Sequence, residues 1–250
     1  MIEVRELSKN YNGMPVLNGI DLDINDNETL VILGPSGQGK TVFIKSLVRL
    51  IEPDSGTIRY DGIDVLTLPK RKFIAVQKKI AFVFQDNALF DFLNVKENLS
   101  LYLRMHSKLS EKEIFKEVLR AIEFVRMNEE VLDKYPEELS GGMMKRIAIA
   151  RAIIQQPCYM FYDEPTTGLD EANVEMVVEL IHKFKKRVCK FEKRVCATVV
   201  IVTHDIHLMH AVSDRVVLLK EGKIVFVGKK EEISEESLHR LYDTGVRDDL

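Results

Sequence analysis

The chain has 250 residues, 46% of them hydrophobic, with 36 Lys and Arg against 39 Asp and Glu and a formal net charge of -3. That is enough apolar material for one large core, and the near balance of charge gives no ground for a nucleic-acid partner or an anionic membrane surface. No apolar run approaches the roughly 18 residues of a spanning helix, and Met1-Ile2-Glu3-Val4-Arg5 lacks the basic start and apolar stretch of an export signal. Cys158, Cys189 and Cys196 are too few and too irregularly spaced for a disulfide framework. The expectation is a cytoplasmic chain whose membrane role, if any, comes through a partner.

The opening stretch alternates apolar and polar residues, at Ile2 and Val4 and again at Ile20, Leu22 and Ile24, around the turn dipeptide Asn12-Gly13. This predicts antiparallel strands with one face on a core. Thr29-Leu30-Val31-Ile32-Leu33 is a continuous apolar run, as in a strand buried on both faces; it ends on Gly34, and a helix carrying Val42, Phe43, Leu47 and Val48 follows. Asp54-Ser55-Gly56 is a turn before a strand at Thr57 to Tyr60, and Ile80-Ala81-Phe82-Val83-Phe84 is a further buried strand that stops at Gln85. From about Asn94 to Ile154 the periodicity is helical, with capping boxes predicted at Asn94 with Glu97 and at Ser110 with Glu113. Strands return at Tyr159 to Tyr162 and Thr198 to Val202, and the hairpin Val216 to Val227 turns on Glu221-Gly222. Strands on either side of a helical stretch predict an α/β core with an inserted helical subdomain.

Five places in the chain carry chemistry. Gly34-Pro35-Ser36-Gly37-Gln38-Gly39-Lys40-Thr41 is a complete phosphate-binding loop between a buried strand and a helix. Its glycines let successive backbone N–H groups face phosphate, Lys40 brings a positive charge to the β- and γ-phosphates, and Thr41 brings a hydroxyl to Mg²⁺. Asp163 and Glu164 leave the carboxyl end of the strand at Tyr159 to Tyr162, where open α/β sheets place their ligands. Because neighbouring strand residues point opposite ways, Asp163 is assigned to hydrated Mg²⁺ and Glu164 to the attacking water. His204 follows the strand ending at Thr203 and is placed to donate a hydrogen bond to a γ-phosphate oxygen, and the Gln85 amide is a ligand for Mg²⁺ or water. A second glycine-rich helix start, Leu139-Ser140-Gly141-Gly142-Met143, offers another N-terminus to an anion.

In this order, Tyr11, the phosphate loop, Gln85, Leu139-Ser140-Gly141-Gly142, Asp163-Glu164, Thr167-Gly168-Leu169-Asp170 and His204 resemble the ATP-binding cassette (ABC) ATPases over essentially the whole chain. The resemblance implies a P-loop NTPase (RecA-like) core sheet with an N-terminal antiparallel β subdomain and an inserted α-helical subdomain. That is one domain over 1–250, with its core at about 1–90 and 156–250 and its helical part at about 91–155. It further implies that Tyr11 stacks on adenine, that the loop through Val42 holds ATP with Mg²⁺, and that Gln85 with the segment from Asp86 to Val95 reports nucleotide state to an integral membrane permease. Ser140, Gly141 and Gly142 of one copy would close on the γ-phosphate held by a second copy, with Leu169 and Asp170 in the segment that crosses between subunits. The implied place of work is the cytoplasmic face of the cell membrane.

Met143 stands where most of the family has Gln. Together with Lys145-Arg146 and with Asn87-Ala88-Leu89-Phe90-Asp91, it is similar to the ATPases of lipid-asymmetry (Mla) and Mce-protein transporters. This similarity implies a phospholipid or other hydrophobic solute and an Mce-domain substrate-binding partner. A membrane-coupled ATPase that signals to a cell-wall or division partner is the open alternative. Finally, Lys186-Arg187-Val188-Cys189 is echoed by Lys193-Arg194-Val195-Cys196. Val177, Ile181, Phe184, Val188, Phe191 and Val195 read as one helical stripe. Seven helical residues rise roughly 10 Å, which sets His182, Cys189 and Cys196 too far apart to share a zinc ion.

Overall fold

The computed structural model describes residues 1–191, 197–234, 236 and 238, with only the helical backbone described for 187–191. In chain order the elements are β1 (Ile2–Tyr11), β2 (Met14–Ile24), β3 (Thr29–Leu33), α1 (Lys40–Leu47), β4 (Ser55–Tyr60), β5 (Ile63–Asp64) and α2 (Lys70–Gln77). Next come β6 (Ile80–Val83), α3 (Val95–His106), α4 (Glu111–Phe124), α5 (Gly141–Ile153), β7 (Tyr159–Asp163) and α6 (Glu171–Phe191). The chain closes with β8 (Thr198–Thr203), α7 (Ile206–Val212), β9 (Arg215–Lys220) and β10 (Lys223–Lys229). It is an α/β protein, and its residues gather into two compact units: Met1–Phe73 with the chain from Val200 onward, and Ile74–Val199.

In the first unit an antiparallel sheet runs in the order β2-β1-β4-β5. Asn12 (φ 51°) and Gly13 (φ 83°) are both left-handed, the conformation that a two-residue hairpin loop needs to match strand twist. Ile2, Val4 and Leu7 are all fully buried, a spacing that breaks the two-residue period of a strand. The break is a bulge: pairing with both β2 and β4 slips after Val4 and Arg5, and Glu6 has φ 49°. One extra residue changes which face the next side chain takes, so Leu7 returns to the core and Glu6 does not. Gly56 answers it from β4, since a Cβ there would sit 2.6 Å from Arg5 O and 2.7 Å from Glu6 O.

The second sheet of this unit places β3 parallel to β9, from Leu30 with Arg215 to Leu33 with Leu218. The β9–β10 hairpin turns on Glu221 (φ 49°) and Gly222 (φ 69°), again a left-handed pair. All five residues of β3 are buried, as a continuous apolar run requires.

In the second unit β6 pairs parallel to β7, Ile80 with Tyr159 through Val83 with Tyr162. Both predicted capping boxes form: Asn94 and Ser110 accept from the amides of Glu97 and Glu113, whose carboxylates accept the cap amides in return. The helices α3, α4 and α5 pack on one another, and along them Leu99, Leu103, Val118, Ile122, Ile147 and Ala150 are buried. Along α6, Val177, Ile181 and Phe184 are buried as the stripe predicts. The side chains of Val188, Phe191 and Val195, and the second half of the basic echo, lie outside the described residues.

Candidate functional site

The phosphate loop joins β3 to α1 in the first unit. Its first residue is locked in place, because Gly34 N donates to Thr203 O at 3.3 Å and a Cβ on Gly34 would meet Leu219 O at 2.4 Å. Gly37 (φ 79°) and Gly39 (φ 94°) are left-handed, and a Cβ on Gly39 would stand 2.5 Å from Val16 O. Alternating left-handed residues turn consecutive N–H groups toward one side, the geometry that cradles an anion. Pro35, Ser36 and Gly37 lie on the open side of the loop, and Gln38 Oε1 accepts from Glu221 N, which ties the loop to the β9–β10 turn.

Lys40 is 5% exposed and its Nζ donates to Gly34 O at 2.7 Å and Pro35 O at 2.9 Å, so its charge is held over the loop that it serves. Thr41 and Val42 occupy the first turn of α1, half-buried. Tyr11 ends β1 with 45% of its surface exposed, and Lys9 Nζ lies 5.4 Å from its ring centre. A hollow of about 550 Å³ lies beside Gly37 and Gln38, lined also by Val16, Asn18 and Glu221. His204 is exposed directly after β8, and the next residue, Asp205, caps α7 through Leu208 N at 3.0 Å.

In the second unit, Gln85 and Glu164 each lie two residues beyond the last pair of the β6–β7 register. Asp163 is 2% exposed and closes β7. Glu164 is 8% exposed with φ 47°, a left-handed state costing a non-glycine residue about 1–3 kcal/mol. Asp163 is thus the last residue of β7 and the chain has already left the strand at Glu164, so the strand alternation that the sequence predicts does not extend to Glu164. The turn continues with Leu169 N to Thr166 O at 3.1 Å and a left-handed Gly168, and Thr167 Oγ1 lies 3.5 Å from Glu164 Oε2. Asp170 then caps α6, accepting from Asn173 N and Asn173 Nδ2, both at 2.9 Å.

The helix start at Ser140 is an ordinary hydroxyl cap, with Met143 N donating to Ser140 Oγ at 3.3 Å. Met143 thus gives its amide to the cap, and its side chain is half-buried. Gly141 is exposed, and a Cβ there would meet nothing within 4 Å, whereas a Cβ on Gly142 would stand 2.2 Å from Asn173 Oδ1. For Mg²⁺, the Thr41 hydroxyl, the Asp163 carboxylate and the Gln85 amide are all hard oxygen donors of the kind that ion takes.

The sequence profile of the family described as "ABC transporter" matches residues 17–167. Over 248 residues the chain is 34% identical to the probable ribonucleotide transport ATP-binding protein mkl of Mycobacterium leprae, covering 98% of this chain and 69% of that one. The chain belongs to the ABC transporter family. It is likewise 40% identical to the spermidine/putrescine import ATP-binding protein PotA of Aggregatibacter actinomycetemcomitans, covering 94% of this chain and 60% of that one. A dimeric ATP-binding cassette in a post-hydrolysis state with ADP and Pi superimposes with a TM-score of 0.83 at 30% identity, over 92% of this chain and 98% of that one. The cbiO1 subunit of Clostridium perfringens, part of the transporter complex cbiONQ, gives 0.81 at 32% identity, over 96% and 92% of the two chains. The chain is accordingly the ATP-binding, ATP-hydrolysing subunit of an ABC transporter.

Within this cassette, three residues make contacts that the sequence does not announce, Lys145 having entered there only through the family resemblance. Asn173 reads as a polar residue in the first turn of a helix, and Lys145 and Arg151 read as charges on a helix that already has a basic run. Their roles come from partners far along the chain. Lys145 is 2% exposed and donates to Phe84 O at 3.1 Å and Gln85 O at 2.8 Å. Burial pulls its ammonium down to about 8, against the attraction of Asp86 and Asp163. Among the described residues no helix is long and apolar enough to cross a membrane.

Proposed function

We propose that two copies of this cassette hydrolyse ATP on the cytoplasmic face of the cell membrane, driving an integral permease that moves phospholipid or another hydrophobic solute. In this reading the loop amides and Lys40 bind the β- and γ-phosphates and Tyr11 stacks on adenine. Thr41, Asp163 and Gln85 are the ligands for Mg²⁺, which neutralises charge on the phosphate oxygens when bound. Glu164 takes the proton of the attacking water, and His204 donates to the γ-phosphate. Ser140, Gly141 and Gly142 serve the site of the other copy. The 250 residues, with Gln85 and its loop as the outlet toward the permease, work as one cassette domain.

The observation that carries the hydrolytic part is Glu164, a carboxylate held nearly out of solvent in a left-handed conformation next to Asp163. Strain of this kind persists where the surroundings fix a group for a task. Glu164→Gln is expected to keep ATP affinity, to lower turnover about 100-fold or more, and to trap a dimer visible by light scattering with Mg-ATP. Near-normal phosphate release by that variant removes Glu164 as the base.

Lipid as the solute rests on Met143, Lys145-Arg146 and the Asn87 to Asp91 segment. The related proteins carry ribonucleotide, polyamine and betaine names, so the solute is chosen by the permease and its partners. Copurification from membranes tests this: a permease with an Mce-domain protein is the expected outcome, and a few-span protein with a cell-wall hydrolase activator overturns it.

A further inference from the structure

The segment that follows β6 is bent in an uncommon way. Asn87 (φ 62°) and Ala88 (φ 49°) are consecutive left-handed residues, and neither is glycine. A bend of that kind does not persist by itself, because each such residue is disfavoured by contact between its Cβ and the backbone. Two cations on α5 hold it. Lys145 Nζ donates to the carbonyls of Phe84 and Gln85, and Arg151 Nη1 and Nη2 donate to Ala88 O at 2.6 Å and Asn87 O at 3.0 Å, with the guanidinium 5.9 Å from the Phe90 ring. The far end is fixed by Asn98, 1% exposed, which accepts from Phe90 N at 2.9 Å and donates to Phe90 O and Leu93 O.

Four of the five carbonyls from 84 to 88, those of residues 84, 85, 87 and 88, thus point at a single helix, the one opened by Ser140. An ammonium as deeply buried as Lys145 is expensive to keep unless its donors are used. A glutamine or methionine would fill much of the same space without the charge. The Gln85 side chain itself is exposed. Its backbone is what is held.

We propose that Lys145 is a positioning residue for ATP hydrolysis: it fastens the Gln85 backbone to α5, with Arg151 as a second fastening, so that the Gln85 amide and the Ser140 helix start move as one piece. The inference rests on the role given above to Gln85. The hydrogen bonds of Lys145 go to the Phe84 and Gln85 carbonyls, so in this inference it acts through the loop. The consequence is that a displacement of α5 is passed directly to Gln85.

The test uses the full chain with Mg-ATP, comparing Lys145→Met, which keeps the stem and loses every donor, with Lys145→Gln, which keeps an amide donor. Lys145→Met should lower kcat about 10- to 100-fold, the scale of a small misplacement in a reacting site, while KM for ATP stays within about twofold. Hydrogen exchange should quicken in residues 84–89 and stay unchanged in 141–150, and Lys145→Gln should recover most of both. A kcat within about twofold of the parent overturns the proposal. So does unchanged exchange at 84–89, or a loss of protection that spreads through α5 together with a lower melting temperature and no recovery in Lys145→Gln. Gln85→Ala, run in parallel, separates the two readings. A parent-like kcat in Gln85→Ala removes the role of Gln85 and with it the positioning role, whereas a loss in Gln85→Ala beside an unaffected Lys145→Met overturns this inference alone.

Discussion

At Gly39 the chain enters α1 through a left-handed residue with no side-chain cap, whereas at Ser140 it enters α5 through extended backbone with a hydroxyl on Met143 N. The first start has its amides turned by glycines at 37 and 39, is pressed against Val16 O, and carries its own cation in Lys40. The second is capped by Ser140 Oγ on Met143 N, lacks an acid or lysine in its first turn, and leaves Gly141 facing open space. One is a glycine-turned loop that carries its own cation and the other a hydroxyl-capped helix end. In the function proposed above, the first would hold the nucleotide and the second would close on it from the other copy.

The largest expected effect breaks the cradle. Lys40→Ala should weaken ATP binding by about 10- to 100-fold, the worth of one charge-assisted hydrogen bond at roughly 1.5–3 kcal/mol, read by titration with a fluorescent nucleotide. An unchanged affinity would place phosphate elsewhere. At the other start, the two glycines should separate. Gly142→Ala drives a Cβ into the Asn173 amide and must displace it from Asp170, which should cost about 1–3 kcal/mol in denaturant unfolding and be largely relieved by adding Asn173→Ala. Gly141→Ala meets no atom and should leave unfolding unchanged or raise stability by about 0.4–1 kcal/mol. Equal losses at both positions would contradict the packing described here. The smallest loss is expected of Ser140→Ala, which removes one long cap bond and should cost toward the low end of about 0.5–2 kcal/mol.

Much of this was legible in the sequence because it depends on neighbours along the chain. Asn12-Gly13 and Glu221-Gly222 announce two-residue hairpins through the residues that tolerate positive φ, and the Asn94 and Ser110 boxes announce helix starts through a three-residue spacing. The phosphate loop is local in the same sense. What escaped reading depends on residues far apart. The bulge at Glu6 is set by the strands on both sides of β1 and by the missing Cβ of Gly56, and no single-strand pattern contains it. Lys145 and Arg151 look like surface charges until the loop at 84–88 is laid against them. The strand runs to Asp163, one residue past the apolar run, and the left-handed turn at Glu164 is a backbone state that no local residue preference announces.

Val16 O has a part in the fold beyond closing off Gly39. The same oxygen stands 2.5 Å from where a Cβ on Gly222 would lie, and the adjacent Asn18 N donates to Gly222 O at 2.9 Å. One carbonyl of the N-terminal hairpin therefore bars a side chain both at the phosphate loop and at the tip of the β9–β10 turn. The freedom of positions 39 and 222 to vary is a single shared allowance, fixed by the path of β2, and a change in that path would be felt at both ends of the chain's sequence at once.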